Sequence, residues 1–270
     1  MKALIDGDIL RYEVGFAAEA GWRARTKEED ALPPWDFVAN ILHERIDWIG
    51  HETQASYFEM FFSGPENFRF DIAKKKPYKG NREDKKPWHF KNITEYMLAT
   101  MPVWTNTVPM EADDMMAIRQ VSSTEPTIIC SRDKDLRQVP GKFYSWELGN
   151  QPSFGPIDIS KKGSVILHNN QIKGTGFAFF ASQVLTGDPV DNIPGLPKWG
   201  PVKTYNAMAP LMLDTEAEPQ ALTDMLIEKY TEVYGNSWEE ELLEQGQLLW
   251  ICRRFDQFGM PERWKIGLIE

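Results

Sequence analysis

The chain has 270 residues, of which 42% are apolar and 26% charged, and its formal net charge is −10 at pH 7. This composition excludes general disorder, and two cysteines without zinc-ligand spacing exclude a disulfide framework and a zinc site. Because no apolar run reaches the ~20 residues of a membrane span and the first residues do not form a signal peptide, we expect a soluble, cytoplasmic protein.

Short apolar strands alternate with helices along the first half of the chain. Strands are predicted at 3–5, 57–62, 127–130 and 143–146, and helices at 35–51, 92–100 and 110–121. This alternation indicates a parallel sheet with helices on both faces. From residue 177 onward the chain is predicted to be helical, with an interruption rich in Gly and Pro at 187–201. We therefore expect a boundary near 173–176, between an α/β core and a helical C-terminal part.

The charge is unevenly distributed. Segment 69–91 has a net charge of +6, whereas segment 214–270 has a net charge of −8. Aromatic residues lie within or beside the basic segment, at Phe68, Phe70, Tyr78, Trp88 and Phe90. Basic groups interleaved with aromatics suit phosphates and stacked bases, although a solvated surface also explains the three lysines at 74–76. The net charge argues against nucleic acid as a partner, but its distribution favours one.

Acidic residues concentrate in four short segments at predicted strand ends and helix starts. They are Asp6 and Asp8; Glu111, Asp113 and Asp114; Asp133 and Asp135; and Asp188 and Asp191. Ligand sites of such sheets lie beyond the carboxyl ends of the strands, so we expect these segments to converge. Several carboxylates in one pocket cannot all stay ionised without cations, and hard oxygen ligands suit Mg²⁺ or Mn²⁺. Each segment alone also has a structural explanation, as a helix cap, first-turn acid or turn former.

Five motifs follow one another between residue 4 and residue 195. They are LIDGD at 4–8, YKGNR at 78–82, EADD at 111–114, SRDKDL at 131–136 and GDPVDNIPG at 187–195. In this order they resemble the flap endonuclease/5′→3′ exonuclease superfamily, most closely the exonucleases of tailed bacteriophages and the 5′ nuclease domain of bacterial DNA polymerase I. The resemblance implies an α/β fold, with a PIN-like, mostly parallel central sheet flanked by helices. It divides the chain into a catalytic core, 1–175, with a helical clamp at about 69–101, and a helical part, 176–270, with a helix-three-turn-helix.

The resemblance also implies a set of site residues. The metal ligands would be Asp6, Glu111, Asp113, Asp114, Asp133, Asp135, Asp188 and Asp191. The catalytic residues would be Asp6, Asp133, Lys79 and Arg82, the last two at the base of the clamp. The nucleic-acid contacts would be Tyr78, which could stack on a base, with Lys79, Arg82, Gly195, Lys198, Gly200, Lys203 and Thr204. Two Mg²⁺ or Mn²⁺ ions would stabilise the attacking and leaving oxygens of phosphodiester hydrolysis.

The chain departs from the family pattern at two places. After the second strand, where many relatives carry an Asp, it has Ser63, Gly64 and Pro65, with Glu66 as an uncertain substitute, so one ligand of the first metal is expected to be lost. In the helix-three-turn-helix, Lys198 stands where a glycine is usual and one extra residue precedes the following lysine. These differences weigh against the K⁺ ion that carbonyls of this motif hold in the family.

The expected function is that of a monomeric 5′→3′ exonuclease or flap endonuclease acting on DNA or RNA–DNA hybrids in phage replication or nucleotide recycling. The first alternative is a DNA-structure-binding module whose nuclease activity is reduced or lost because of Gly64. A second alternative is a phosphatase with Asp6 as nucleophile. This alternative gives no role to the YKGNR motif or to the glycine-containing segment 192–204 of the helix-three-turn-helix, here called the glycine hairpin. Asp8 is expected to lie behind the ligands, because Gly7 invites a turn after Asp6.

Overall fold

The structure, a computed structural model, describes residues 1–83, 85–104, 108–213 and 216–268. Three acidic residues counted in the charged segments, Asp84, Asp214 and Glu270, lie outside this description. Within the described residues, no helix combines the length and the apolar character needed to cross a membrane.

A six-stranded sheet lies at the centre of the fold. Its strands are β1 (Lys2–Asp6), β2 (Tyr57–Phe61), β3 (Val103–Trp104), β4 (Thr127–Cys130), β5 (Gly141–Ser145) and β6 (Phe154–Ile159). They lie in the order β3-β2-β1-β4-β5-β6, with β1 to β5 parallel and β6 antiparallel to β5. The sheet is mostly parallel, as predicted. Because Ile5 pairs with Cys130, the carboxyl ends of β1 and β4 lie side by side.

Helices cover both faces of the sheet and form most of the C-terminal part. The first five are α1 (Gly7–Thr26), α2 (Trp35–Thr53), α3 (Arg69–Ile72), α4 (Phe90–Thr100) and α5 (Ala112–Ser122). The other four are α6 (Gly176–Thr186), α7 (Pro201–Met208), α8 (Pro219–Tyr234) and α9 (Trp238–Leu249). Two small hairpins complete the fold, β7 (Val165–His168) with β8 (Gln171–Gly174), and β9 (Met212–Leu213) with β10 (Glu216–Ala217).

Two apolar layers sandwich the sheet, because successive strand residues point to opposite faces. Ile5 of β1 belongs to the layer formed with α1 and α2, through residues such as Leu10 and Leu42. Its neighbour Leu4 belongs to the other layer, which extends through α5 and α6 to Trp250 after α9. One continuous core thus crosses the predicted boundary at 173–176, and the C-terminal helices are packed onto the sheet that carries the carboxylates.

The structure confirms most of the predicted elements and adds one long helix. The predicted strand 127–130 is β4 and the predicted helix 35–51 is α2, while α5 begins two residues later than predicted. Helix α1 was not predicted, because Gly7 indicates a turn. Asp6 ends β1 and also caps α1, accepting a hydrogen bond from Ile9 N at 3.0 Å, so no loop separates strand from helix.

The segment predicted as a clamp contains only short or partial helical structure. Between Ala73 and His89, the described residues include no helix. Helix α4 packs on α1: Ile93 and Met97 are buried, and the Phe90 ring lies 4.7 Å from that of Tyr12.

A buried ion pair joins α5 to the C-terminal part. The guanidinium of Arg69 donates to both carboxylate oxygens of Asp114, at 2.7 and 2.9 Å, and the two residues are 1% and 0% exposed. Arg69 also donates to the carbonyl oxygens of Leu248 and Trp250 at 3.1 and 2.6 Å. Cys252 N donates to Asp114 at 2.9 Å. This pair therefore holds the end of α9 against the start of α5.

We expect Arg69→Met to lower the free energy of unfolding by about 3–5 kcal/mol, because it leaves Asp114 charged, buried and unpaired. The double variant Arg69→Met/Asp114→Leu should recover part of this loss, since it removes both charges. Urea titrations followed by tryptophan fluorescence measure both. Lys74→Met, which breaks the exposed pair with Glu240, is the control and should leave the midpoint unchanged. Equal stability of wild type and Arg69→Met would contradict the assignment.

Candidate active site

The predicted carboxylates meet at the carboxyl edge of the sheet. Asp6 ends β1, the 131–135 segment follows β4, and Glu111 caps α5. A small cavity of about 10 Å³ lies between them. Five carboxylates line it: Glu111, Asp113, Asp133, Asp135 and Asp191. Segments from four parts of the chain therefore converge, as the strand-end argument predicted.

Ser131 links the carboxylates of the two central strands. Its hydroxyl donates to Asp6 Oδ2 at 2.7 Å and accepts a hydrogen bond from Asp133 N at 2.9 Å. Asp135 N in turn donates to Asp133 Oδ1 at 2.8 Å. The turn after β4 thus fixes three carboxylates relative to one another through its own backbone and one hydroxyl.

Burial and mutual repulsion disfavour the ionised forms of these acids. Burial and the charge of Asp8 raise the pKa of Asp6 to about 7. Burial and the charge of Asp133 raise the pKa of Asp135 to about 8. The pKa of Asp113 is raised well above its ordinary value by burial and by Asp133 and Asp6, and burial raises that of Asp133.

Lysine and arginine side chains compensate part of this negative charge. Lys79 pairs with Glu111 and its Nζ lies 3.8 Å from Asp191, which also pairs with Arg82. Lys134 donates to Asp188 at 2.8 Å. Although burial acts to raise it, the pKa of Glu111 is lowered by Arg69 and Lys79. The two residues predicted as catalytic cations thus lie directly on the carboxylates.

The donor set fits a hard divalent cation. As the side chains stand, no three Asp, Glu, His or Cys residues among those described are arranged to hold a metal ion. Glu111, Asp191 and Asp188 instead pair with Lys79 or Lys134. However, no described residue donates a hydrogen bond to the half-buried carboxylate of Asp113. Carboxylate oxygens crowded in this way, with raised pKa values, are the environment that a divalent cation stabilises.

Two predicted site residues have other roles in this structure. Each oxygen of Asp114 accepts two hydrogen bonds, one from Arg69 and one from a backbone amide, so both are saturated and the prediction that Asp114 is a metal ligand is not supported. Tyr78 is 5% exposed, and its hydroxyl donates to Glu111 at 2.8 Å and to Asp191 at 2.9 Å. Its ring is therefore not accessible for stacking on a base.

Asp188 lies in a tight turn between α6 and the glycine hairpin. Its Oδ1 accepts from Val190 N at 2.8 Å, and its backbone pairs with Ile193 in both directions. Gly187 and Gly195 approach so closely that a Cβ on Gly195 would lie 2.2 Å from Gly187 N. Both glycines have positive φ, so the turn that positions Asp188 and Asp191 requires glycine at these two positions.

The predicted nucleic-acid contacts in 192–204 divide into exposed and buried residues. Lys198, Gly200 and Lys203 are exposed, and Lys198 has φ 62°, the backbone conformation of the glycine usual there. Gly195 N instead donates to Gln245 at 2.9 Å, and Thr204 is 0% exposed. These last two predicted contacts are not accessible to phosphate, because they pack the hairpin onto the C-terminal helices.

The end of β2 contacts Asp8 rather than presenting a ligand of its own. Ser63 N donates to Asp8 Oδ2 at 2.8 Å, and Arg11 pairs with Asp8 Oδ1 at 2.6 Å. A Cβ on Gly64 would meet no atom within 4 Å, and Glu66 is exposed. Both oxygens of Asp8 are therefore held by Ser63 and Arg11, and space for a side chain exists at residue 64.

Contacts with the C-terminal part neutralise some of the basic segment. Lys74 and Lys75 pair with Glu240 and Glu241 of α9, and Glu244 accepts from both of their backbone amides at 2.9 Å. The lysine run is therefore neither a fully solvated surface nor wholly available to a nucleic acid. Lys79 and Arg82, further along the segment, are the cations at the carboxylates.

Sequence reasoning missed several side chains that support the site. Gln183 Nε2 donates to Asp135 Oδ1 at 2.6 Å, and its own Oε1 accepts from Gln138 at 2.9 Å. Gln138 also donates to Leu249 O at 3.0 Å. Lys134 lies in the SRDKDL motif, but its contact with Asp188 was not predicted. No local pattern marks these residues, because their partners lie about 50 residues or more away in the chain.

Two solved structures from bacteriophage T5 are similar to this chain. One is a T5 protein crystallised with metal ions, 18% identical, with a TM-score of 0.58 over 93% of this chain and 88% of that chain. The other is the T5 flap endonuclease in a pseudo-enzyme–product complex with DNA and metal ions, 18% identical, with a TM-score of 0.57 over 90% and 88%. No protein-family model and no curated protein matches the chain. The chain therefore shares the fold of these two T5 proteins, a mostly parallel central sheet flanked by helices, as the sequence predicted.

Proposed function

We propose that the protein is a divalent-metal-dependent 5′→3′ exonuclease or structure-specific flap endonuclease that hydrolyses phosphodiester bonds in DNA. The observation that carries the proposal is the convergence of carboxylates at one edge of the sheet, where five line one cavity and Asp6 lies beside them through Ser131, while Lys79 and Arg82 pair with Glu111 and Asp191. The T5 neighbour in complex with DNA and metal ions supports the same reading. The substrate class is DNA with a 5′ end or flap, and RNA–DNA hybrids are a second candidate.

Mg²⁺ or Mn²⁺ is the proposed cofactor, and two ions are expected. The ligand set we propose is Asp6, Glu111, Asp113, Asp133, Asp135, Asp188 and Asp191, without Asp114. When bound, such ions neutralise the charge that develops on the attacking and leaving oxygens. The protein's own contribution is to hold the carboxylates in place, through Ser131 and Gln183, and to exclude bulk water from a cavity of about 10 Å³.

Lys79 and Arg82 have a second role in this proposal. In the absence of substrate they neutralise Glu111 and Asp191. If divalent ions were bound by Glu111 and Asp191, they would neutralise these acids, and Arg82 with its forked donors and Lys79 with its point charge would be available to bind the phosphate at the cleaved bond. Lys198 and Lys203, exposed on the hairpin and α7, would hold the duplex by its backbone.

The second candidate function is a DNA-binding module with weak or no nuclease activity. It is favoured by Ser63-Gly64-Pro65, which places no carboxylate at the end of β2. Cleavage by the wild-type protein separates the two candidates, because a binding module retains DNA affinity without releasing nucleotides. A monomeric state and a role in phage replication or nucleotide recycling remain part of the proposal.

We expect the wild-type protein to release nucleotides from 5′-labelled flap DNA in Mg²⁺ or Mn²⁺. Asp133→Asn should lower the cleavage rate by on the order of 100-fold or more, because even substitutions of residues that only contact metal ligands cost 10- to 100-fold in activity. DNA affinity measured without metal should stay within a few-fold. Asp158→Asn, an exposed acid on β6 that pairs with Lys142, is the matched control. A wild-type protein that cleaves no flap, nick or duplex would reject the nuclease.

Without metal, we expect thermal stability to fall as the pH rises from about 4 to 8. The folded state keeps protons on Asp6 and Asp135 up to pH values of about 7 and 8, whereas the unfolded chain loses them near 3.8. Mg²⁺ replaces those protons, so it should raise the melting temperature more at high pH than at low pH. Differential scanning fluorimetry with EDTA or Mg²⁺ measures both effects. Asp6→Asn/Asp135→Asn should flatten the dependence; an unchanged slope would contradict the assignment.

If the missing acid at residue 64 weakens the first metal site, Gly64→Asp should lower the Mg²⁺ concentration for half-maximal cleavage. The substitution is sterically permitted, since an added Cβ meets nothing within 4 Å. Gly64→Asn is the control, because it adds the same volume without charge. A metal titration in which the Asp and Asn variants behave alike would show that this position does not contribute to metal binding.

A further inference from the structure

A groove larger than the carboxylate cavity begins beside it. It has a volume of about 780 Å³ and is lined by Asp133 and Ile9 at its inner end. One wall is the 132–137 segment after β4, the other is the β7–β8 hairpin, and residues 151–154 form its floor. Because Asp133 lines both the groove and the carboxylate cavity, the two are adjacent.

The charge of this groove is positive. Arg132, Lys134, Arg137 and Lys173 line it, and Asp133 is the acidic residue among the lining residues described. Arg132 is held by the carbonyl of Trp146, and Lys134 pairs with Asp188. In the described part of the chain, Arg137 and Lys173 have no carboxylate partner. These two cations are therefore available to an anionic ligand.

Arg137 is held in place without being neutralised. Its guanidinium lies 4.1 Å from the centre of the Phe154 ring, and its Nε is buried without a hydrogen-bond partner among the described residues. Burial and the neighbouring charge of Arg132 lower its pKa. A guanidinium that lines the groove, packs on an aromatic ring and makes no ion pair with a described residue is suited to bind a phosphate.

The rest of the groove is suited to bases. Ile9, Pro152 and Phe154 give the groove apolar surface, and Ile166 of β7 is 56% exposed. Cations that follow a backbone, combined with aromatic and apolar surface for bases, are typical of sites for single-stranded nucleic acid. Pockets of about 300–1,000 Å³ take one drug-sized ligand, so this groove suits a few unpaired nucleotides rather than a duplex.

We propose that this groove binds unpaired nucleotides of the cleaved strand next to the scissile phosphate, with Arg137 and Lys173 contacting their phosphates. The proposal rests on the proposed nuclease function. It adds Arg137 and Lys173 to Lys79 and Arg82 as cations that would contact phosphates near the carboxylates. A free nucleotide offers the same phosphate and base, but the position of the groove beside the carboxylate cavity, with Asp133 lining both, favours a strand.

The test is the salt dependence of binding to a fluorescein-labelled oligothymidylate in EDTA. Each phosphate contact to a single strand contributes about 0.7 to the slope of log K against log salt concentration. Arg137→Gln/Lys173→Gln should therefore reduce the slope by about 1.4 and weaken binding at low salt. Lys173→Gln alone, at an exposed position, should reduce it by about 0.7, which gives a result even if the Arg137 change affects folding.

The matched control is Arg23→Gln/Lys142→Gln, which removes the same charge at exposed positions that pair with Glu19 and Asp158 outside the groove. It should leave the slope unchanged. Thymidine monophosphate serves as the second probe, and if it alone binds with dependence on Arg137 and Lys173, the ligand is a free nucleotide and the strand proposal is overturned.

Cleavage of flap DNA by the wild-type protein separates the two proposals. If the wild type cleaves and the groove variants keep the wild-type slope, the groove proposal is wrong and the nuclease stands. If the wild type cleaves, and the variants show a smaller slope of log K against log salt concentration with a higher KM and an unchanged kcat, the groove binds the strand. A wild type that neither cleaves nor binds either probe overturns both.

Discussion

Electrostatic repulsion among buried carboxylates is the constraint on which the rest of this structure depends. Acids from four segments are brought to one sheet edge, where burial and each other's charge favour protonation over ionisation. The fold tolerates this because hydrogen bonds from Ser131 and Gln183 fix two of the carboxylates, and Lys79 and Lys134 supply positive charge. This unfavourable arrangement of carboxylates is one that bound divalent cations would stabilise, and it is the basis of the cofactor that we propose.

Asp113 and Asp114 are neighbours in α5, but helix geometry places their side chains in different surroundings. Asp113 and Asp114 follow each other in α5, yet their side chains point in directions about 100° apart because an α-helix has 3.6 residues per turn. Asp113 therefore faces the carboxylate cavity, whereas Asp114 turns into the core and pairs with Arg69. That ion pair ties the C-terminal part to the sheet, and so holds the chain that covers the site in place.

The net charge of −10 does not describe where the acidic and basic residues lie in this structure. Part of the acid lies in the carboxylate cluster, and part lies on α9, where it neutralises Lys74 and Lys75. Under the proposed function, the cations that would meet a nucleic acid include those at the cluster, on the glycine hairpin and in the groove beside Asp133. That proposal depends on where these cations lie rather than on a generally basic surface.

The sequence by itself determined the mostly parallel sheet, the order of its motifs and the convergence of the acids, because apolar runs and strand-end carboxylates are local patterns. It did not determine α1, since Asp6 serves as both strand end and helix cap and leaves no turn to recognise. It also could not assign Asp114, Tyr78, Gly195 or Thr204 to the interior. Only the tertiary structure decided those, because a side chain's exposure depends on partners such as Arg69 and Gln245 that lie tens of residues away.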